Sequence, residues 1–317
     1  MKASVTPLAR RAAHALLRAG GVAAGVVVIA FLLVRLIPGD AATALLGSRA
    51  TPAAVAQLRE RLGLDESLPA QFWHFLTRLV IHGDTGTSLV NGVPTRELIL
   101  ARLEPTLWLV AFATVFAVAL SVPLALWAAT HRDGLADHVV RILTTAGIAM
   151  PAFWTGLLLI LLFSVRLGWF PVGGVRDGYP TSIVLPALTA AIAIVPVLVR
   201  SLRAELVEVL RADFVATLRA AGLPERRILA RHVLRNAALP ALVLVGTNIS
   251  YLLGGALIVE KVFALPGLGD LMFDAIGSRD LPVIQGVVIY TALAVVLVTL
   301  VTDHLAAVLD PRLRRAA

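Results

Sequence analysis

The sequence predicts an all-α membrane protein with six transmembrane helices, and three features of the chain support this fold class. First, 58% of the 317 residues are hydrophobic and only 15% are charged, whereas about a quarter of the residues of ordinary soluble domains are charged. Second, six apolar segments are long enough to qualify as spans, since a helix needs roughly 20 residues to cross a bilayer. Third, arginines cluster between these segments. Together these features indicate that lipid solvates much of the surface.

The six predicted spans contain very few charged residues. They run approximately over Gly20–Ile37, Thr106–Ala129, Val139–Phe163, Ile183–Val199, Leu239–Val259 and Ile284–Leu305. The first is interpreted as a retained anchor, because its apolar core is long and no convincing small-residue cleavage site follows it. Pro123, Pro151 and Pro196 fall inside three of the spans, where a proline removes a backbone hydrogen bond and kinks the helix.

The distribution of basic residues predicts the orientation in the membrane. With the N-terminus in the cytoplasm, the inner segments carry 17 Lys and Arg residues and the two short outer loops carry four. The long segment 38–105 carries six more, but loops of that length translocate largely regardless of charge. Both termini are therefore expected on the cytoplasmic side.

The chain is predicted to be one transmembrane domain, 1–317, with an extracytoplasmic insertion over 38–105 and a cytoplasmic loop over 204–238. The insertion has helical patterns of its own. One runs over Ala54–Leu62, with Thr51 as N-cap, Pro52 at the first helical position and Gly63 as the stop, and the other runs over Pro69–Val80. The insertion is therefore expected to be a small helical region rather than a tether.

The polar segment Asp213–Pro240 separates two apolar spans and reads as two helices joined by a turn. Gly222 suits a left-handed cap at the end of the first helix, and Pro224 suits the start of the second. Two uses are open for this segment. It either rests on anionic headgroups as a basic amphipathic helix, or it inserts as a rigid knob into a groove of a partner protein.

The spans offer polar but uncharged side chains instead of mid-membrane charges. The scarcity of intramembrane ionisable residues argues against ion-coupled transport by this chain. Thr144, Thr145, Asn248 and Gln285 are candidates for lining a pathway. The alternative for these residues is hydrogen bonding between helices, which is their commoner use in membrane proteins.

Catalysis by the chain alone is not expected. The sequence has no GxxxxGK[ST] phosphate-binding loop, no HExxH metal motif, no GxSxG elbow and no cysteine. The chain is therefore predicted to be neither an enzyme nor the holder of a cofactor or metal ion.

A series of motifs in fixed order resembles one known family along nearly the whole chain. The motifs are FLLVRLIPGD (Phe31–Asp40), LGLDESLPAQF (Leu62–Phe72), GDTGTS (Gly83–Ser88), PAFWTGLLL (Pro151–Leu159), GLPERRILARHVLRNAALP (Gly222–Pro240), PGLGDL (Pro266–Leu271), RDLPVIQG (Arg279–Gly286) and LDPRLRR (Leu309–Arg315). The ordered set resembles permease subunits of bacterial ATP-binding-cassette importers, in the dipeptide, oligopeptide and nickel branch.

The resemblance implies a fold, a location and a set of partners. The fold would be the six-helix type I importer permease, and the location the bacterial inner membrane. The chain would pair with a second, homologous permease. Two cytoplasmic ATPases would bind ATP and magnesium, and an extracytoplasmic binding protein would deliver the substrate.

In this family a cytoplasmic coupling loop enters a groove of the ATPase, and Gly222 matches the turn of that loop. The resemblance assigns the ATPase contact to Ala216, Arg219, Ala220, Ala221, Gly222, Leu223 and Pro224. This chain departs from the general Glu-Ala-Ala pattern, because Ala216-Thr217-Leu218 stands in its place.

The substrate stays open at the level of sequence. Peptides are the leading expectation within the branch, and nickel or a metal chelate is the alternative because Ser121–Asp133 also resembles nickel-type members. Two readings from other classes are an ion-coupled secondary transporter and a membrane-anchored receptor or scaffold.

Overall fold

The computed structural model describes residues 7–36, 51–61 and 65–309 of the chain. Their regular structure is helical, apart from an isolated antiparallel bridge between Thr87 and Pro94. The α-helices are α1 (Pro7–Leu36), α2 (Pro52–Arg61), α3 (Leu68–His82), α4 (Thr95–Thr130), α5 (Leu135–Ala149), α6 (Ala152–Leu159), α7 (Thr181–Leu210), α8 (Asp213–Ala220), α9 (Glu225–Arg227), α10 (Leu234–Gly255), α11 (Leu257–Val262), α12 (Leu268–Ser278) and α13 (Leu281–Leu309). Two π-helical segments, Ile160–Arg166 and Ile228–Val233, follow α6 and α9.

The described residues form two compact units. Unit 1 contains the residues up to Glu104 together with Gly267–Val296, and unit 2 contains Pro105–Pro266 together with the residues from Leu297 onward. Helices α4 and α13 each contribute residues to both units.

Two apolar clusters lie among the described residues of unit 1. In one of them Phe31 of α1 packs edge-on against Phe72 of α3, with 5.0 Å between ring centroids, and also contacts Phe75. The buried residues of the other cluster are Ile99, Leu268, Leu271, Ala275, Val283 and Val287. These contacts hold α4, α12 and α13 together within this unit.

The core of unit 2 joins long apolar helices to the polar segment that follows α7. Its buried residues are Ala125, Ala128, Ala129, Val140, Val199, Leu202, Leu206, Val215, Ile228, Val233 and Ala237. The alanines of α4 allow its backbone to approach its neighbours closely, as small residues do between membrane helices. The polar segment is therefore part of the core of this unit and not a free loop.

The predicted spans can be compared with the described helices one by one. Helices α4 and α7 and residues Leu281–Ala306 are each long and apolar enough to cross a bilayer, and α1 contains the shorter apolar helix Leu17–Leu33. Two bent pairs qualify if each pair is counted as one span, namely Leu135–Ala149 with Ala152–Arg166 and Glu225–Ala238 with Pro240–Gly255. The described helices thus support a multi-pass helical protein, and the number six remains a prediction.

The predicted third span is broken rather than kinked. Helix α5 ends at Ala149, α6 begins at Ala152, and the axes of the two helical stretches differ by 103°. Met150 is extended, with a ψ of 120°, because a proline disfavours the helical conformation of the residue before it. Pro151 is extended too, with a ψ of 138°. By contrast, Pro123 and Pro196 lie inside the continuous helices α4 and α7.

The helical insertion has the predicted elements. The Thr51 Oγ1 accepts a hydrogen bond from the Ala54 N–H at 3.3 Å, and Pro52 is the first residue of α2, so the predicted N-cap is confirmed. The second predicted helix is α3, which ends at Gly83 in the left-handed region with φ of 62°. The predicted stop at Gly63 and the predicted boundary at 38 lie outside the described residues.

Candidate functional site

Residues 213–227 form the polar turn that the sequence predicted, and they are here called the elbow. Within the elbow, α8 ends in a Schellman motif. The Gly222 N–H donates to the Arg219 carbonyl at 2.9 Å, and the Leu223 N–H donates to the Leu218 carbonyl at 3.2 Å. Gly222 has a φ of +78°, and a Cβ added there would meet no atom within 4 Å. Glycine is therefore required by the backbone conformation and not by a lack of space, which confirms the predicted left-handed cap.

The elbow is mounted on the core of unit 2. Val215 and Ile228 are fully buried on either side of the turn, while Leu218 and Leu223 pack against the same core. Of the seven residues predicted to contact a partner, Leu223 is half-buried, and the exposed ones are Ala216, Arg219, Ala220, Ala221, Gly222 and Pro224. The elbow thus presents a small exposed surface on a firmly packed base.

One arginine of the elbow is held in a fixed orientation. The Arg219 Nη2 and Nε donate to the Glu225 carboxylate at 2.7 and 3.1 Å, which spans the glycine turn with a bidentate pair. Both side chains are about half exposed, so the pair adds little stability. The hydrogen bonds to Glu225 raise the pKa of the Arg219 guanidinium above its ordinary value, although an arginine is cationic at neutral pH in any case. Further exposed arginines follow on the same stretch, namely Arg226, Arg227, Arg231 and Arg235.

The second helix of the elbow is less regular than predicted. Only Glu225–Arg227 is α-helical before the π-helical segment Ile228–Val233, which then leads into α10. The helical stretches Glu225–Ala238 and Pro240–Gly255 meet at 53°. Single-turn π-bulges are often found at functional sites, and no feature of the sequence signalled this one.

The four predicted pathway residues have different surroundings. Thr144 and Thr145 both donate their hydroxyl hydrogen to the Arg141 carbonyl, at 3.0 and 2.8 Å. Asn248 donates to the Leu244 carbonyl at 2.8 Å within α10. The structure therefore satisfies these three polar groups inside their own helices.

Gln285 belongs to unit 1 and is buried, and its Nε2 donates to the Ala30 carbonyl of α1 at 3.1 Å. This bond joins α13 to α1 within that unit. It is a hydrogen bond between helices, the other use weighed for these residues.

Two cavities of unit 2 touch the predicted pathway residues. Thr144 lines a cavity of about 130 Å³ whose remaining walls are apolar and include Gly147 and Pro196. Asn248 and Thr114 line another of about 10 Å³, about the size of one water molecule. Within unit 2, Thr144 and Asn248 therefore face separate spaces.

Asp137 is a fully buried carboxylate that the sequence analysis did not single out. Its Oδ1 accepts from the Arg203 Nε at 2.6 Å, and its Oδ2 accepts from the Arg203 Nη2 at 2.6 Å. Its Oδ2 also accepts from the Arg141 Nη2 at 2.9 Å and from the Asp133 N–H at 3.1 Å. The spacing of four residues from Asp137 to Arg141 was the one signal in the sequence, since such pairs share a helix face.

Two of the quoted motifs, GDTGTS and RDLPVIQG, meet in unit 1. The Ser88 hydroxyl donates to the Asp280 Oδ2 at 2.5 Å, although the two residues are 192 positions apart, and the Leu89 N–H donates to Oδ1 at 3.1 Å. The Thr85 hydroxyl donates to the Pro282 carbonyl at 2.8 Å. These hydrogen bonds, of which the one from Ser88 to Asp280 is buried, fix the start of α13 against the segment that follows α3.

Solved structures of a membrane transporter have a fold similar to that of this chain. A chain in the structure described as inward facing conformations of the MetNI methionine ABC transporter superposes with a TM-score of 0.55, covering 68% of this chain and 97% of that one. A second crystal form of the same transporter gives a TM-score of 0.57. The identities of 17% and 16% limit this likeness to the fold.

The chain belongs to the family described as binding-protein-dependent transport system inner membrane component, which matches residues 121–315. The companion family of the N-terminal part of such components matches residues 8–97. A curated relative, the glutathione transport system permease protein GsiC of Pectobacterium atrosepticum, is 41% identical over 91% of this chain and 94% of its own length. GsiC of Salmonella choleraesuis is 42% identical with the same coverage, and GsiC of Escherichia coli K12 is 40% identical over 90% and 93%.

The protein is therefore a multi-pass inner-membrane permease subunit of an ATP-driven, binding-protein-dependent importer. Because the chain belongs to this family, we set aside the two alternatives of an ion-coupled transporter and a receptor without translocation. Partner ATPases and a substrate-binding protein follow from the family.

Proposed function

We propose that this chain forms one half of the translocation pathway of an importer for small peptides, with glutathione as the first substrate to test. Three curated relatives that match more than nine-tenths of their own length are named glutathione transport permeases. Glutathione is itself a small peptide, so these names agree with the peptide branch of the resemblance. A second, homologous permease would supply the other half of the pathway.

The elbow is the proposed contact with the ATPases, and its geometry is the observation that carries this assignment. It is exposed at its tip, yet buried residues on both sides of the turn anchor it to the core of unit 2. A displacement of the tip by an ATPase would consequently be passed to the helices that share this core. The proposed contact residues are Ala216, Arg219, Ala220, Ala221, Gly222, Leu223 and Pro224.

In this mechanism the permease itself needs no nucleotide site. The two ATPases bind ATP and magnesium and close on one another, which moves both elbows and shifts the population from an inward-open to an outward-open packing of the bundle. The binding protein then releases its substrate into the open pathway. Thr144, Thr145, Asn248 and Gln285 stay proposed pathway residues, supported by the cavities that Thr144 and Asn248 line.

Uptake by the reconstituted complex tests the function directly. The tagged permease, purified with its partner subunits and placed in proteoliposomes, should import radiolabelled glutathione only with ATP, magnesium and the binding protein. Uptake should survive the collapse of ion gradients by ionophores. ATP-dependent uptake of nickel without uptake of glutathione or dipeptides would contradict the proposed substrate, and uptake without ATP would contradict the proposed mechanism.

The proposed orientation places both termini and the elbow in the cytoplasm and the insertion outside. The natural chain has no cysteine, so single cysteines can be introduced without background. Thr217 of the elbow and Val90 of the insertion are both exposed. The variant Thr217→Cys should react with an impermeant maleimide only in inside-out vesicles and Val90→Cys only in right-side-out vesicles. The reverse pattern would overturn the orientation.

A further inference from the structure

The elbow follows directly on α7 through a tight turn. The Arg211 N–H donates to the Glu208 carbonyl and the Ala212 N–H to the Val209 carbonyl, both at 3.1 Å. The Val215 N–H then donates to the Ala212 carbonyl at 2.9 Å as α8 begins. A displacement of the elbow should therefore also move the C-terminal end of α7.

The buried carboxylate of Asp137 ties this end of α7 to α5. Arg203 of α7 makes the bidentate contact with Asp137, whose side chain is completely buried, while that of Arg203 is 25% exposed. The same carboxylate accepts the Asp133 N–H and so also holds the turn between α4 and α5. One side chain thus connects α7, α5 and the α4–α5 turn.

A bidentate ion pair constrains motion differently from the apolar contacts around it. Packed apolar helices slide past one another in small shear steps, and Val140, Val199 and Leu202 provide contacts of that kind between α5 and α7. An arginine fork on a carboxylate fixes both distance and angle, and burial strengthens each hydrogen bond. The ion pair is therefore the contact that resists sliding.

We infer that Asp137 is a positioning residue that makes the end of α7, the start of α5 and the elbow move as one body. This inference rests on the proposed role of the elbow as the ATPase contact. In the transport cycle, Asp137 would pass the displacement of the elbow to α5 and to the α4–α5 turn. Without the ion pair, the elbow would still respond to ATP, but part of its movement would be lost between α7 and α5.

A distance measurement tests this without knowledge of the substrate. Spin labels on Leu135→Cys and Glu208→Cys, two exposed positions on α5 and α7, report the separation of the two helices in the purified complex. We expect one narrow distance distribution, unchanged between the nucleotide-free state and the state trapped with ATP and vanadate. Asp137→Asn and Arg203→Lys should each broaden the distribution and make it depend on nucleotide.

Arg141→Gln is the matched control. It removes an ion pair from the same carboxylate, but Arg141 lies on α5 with Asp137, so the link to α7 remains. Its distance distribution should stay narrow. The inference is overturned if Asp137→Asn and Arg203→Lys stay as narrow as the control, or if all three variants broaden alike.

A functional readout separates this inference from the proposed function. In proteoliposomes, the number of ATP molecules hydrolysed per glutathione imported should rise severalfold for Asp137→Asn and Arg203→Lys, with near-normal hydrolysis, and should stay near the natural value for Arg141→Gln. An unchanged ratio in all three variants would contradict the inference. Failure of the unmodified complex to import glutathione with ATP would count against the proposed substrate, while the label distances would still decide the role of Asp137.

Discussion

Replacing Gly222 with valine should weaken the binding of the ATPase subunits to the permease. Gly222 has a φ of +78°, and a Cβ there would meet no atom within 4 Å, so the penalty of a side chain arises from the backbone alone. The left-handed conformation costs about 1–2 kcal/mol for a residue with a Cβ, and for a β-branched residue it is a genuine outlier. We expect the valine turn to relax out of this conformation in the free permease and to regain it on binding, so the cost enters the binding equilibrium. Because about 1.4 kcal/mol corresponds to a tenfold change in an equilibrium constant, the apparent dissociation constant should rise roughly 5- to 30-fold.

The substitution Gly222→Asn is the matched control. Asparagine adopts the left-handed conformation more readily than other residues with a Cβ, so its loss of affinity should be clearly smaller than that of valine. A comparison of the two variants separates the effect of backbone conformation from that of adding a side chain to an exposed position.

The assay is a titration of purified ATPase subunits onto proteoliposomes that contain equal amounts of the permease pair. The half-saturating ATPase concentration gives the apparent affinity, and hydrolysis at saturation shows whether the bound ATPases are still stimulated. If the valine variant bound the ATPases with the natural half-saturation and supported normal uptake, the assignment of the elbow would be wrong.

Two further substitutions test the packing of each unit by thermal unfolding of the purified protein. Gly246→Ala should lower the Tm, because the added Cβ would lie 2.3 Å from the Thr302 Oγ1 and overpacking costs about 1–3 kcal/mol. The control Gly254→Ala should not lower the Tm, because its Cβ would meet no atom within 4 Å. Equal effects of the two variants on the Tm would contradict the close approach of Gly246 to Thr302. Asp280→Ala should destabilise by about 1–3 kcal/mol for each donor left unpaired, including the buried Ser88 hydroxyl, and an unchanged Tm would show that this network is dispensable.

The features that sequence reasoning predicted well are those governed by nearby residues. The cap at Gly222 follows from a helical pattern that stops at a glycine, and the N-cap at Thr51 follows from the Thr-Pro pair before α2. Both are confirmed, because such conformations depend on a few consecutive residues. The apolar spans also follow from local composition, since a helix that crosses a bilayer must be apolar along its length.

The features that sequence reasoning missed depend on residues far apart in the chain. Pro151 predicts a disturbed helix, but the 103° between α5 and α6 depends on how the two helices pack after the break. The same holds for Arg203, which reads as one basic residue among many until the structure places it on Asp137, 66 positions away. The π-helical segment Ile228–Val233 likewise has no local sequence signature.

By itself, the sequence determined that this is a multi-pass membrane protein, where its apolar segments lie and that a glycine turn interrupts the polar segment Asp213–Pro240. These properties follow from local composition and backbone conformation, which neighbouring residues dictate. Only the tertiary structure decided that the elbow is anchored in the core of unit 2 and that Asp137 joins α5 to α7. Contacts of this kind require both partners to be brought together in space, and a list of residues in chain order does not contain that information.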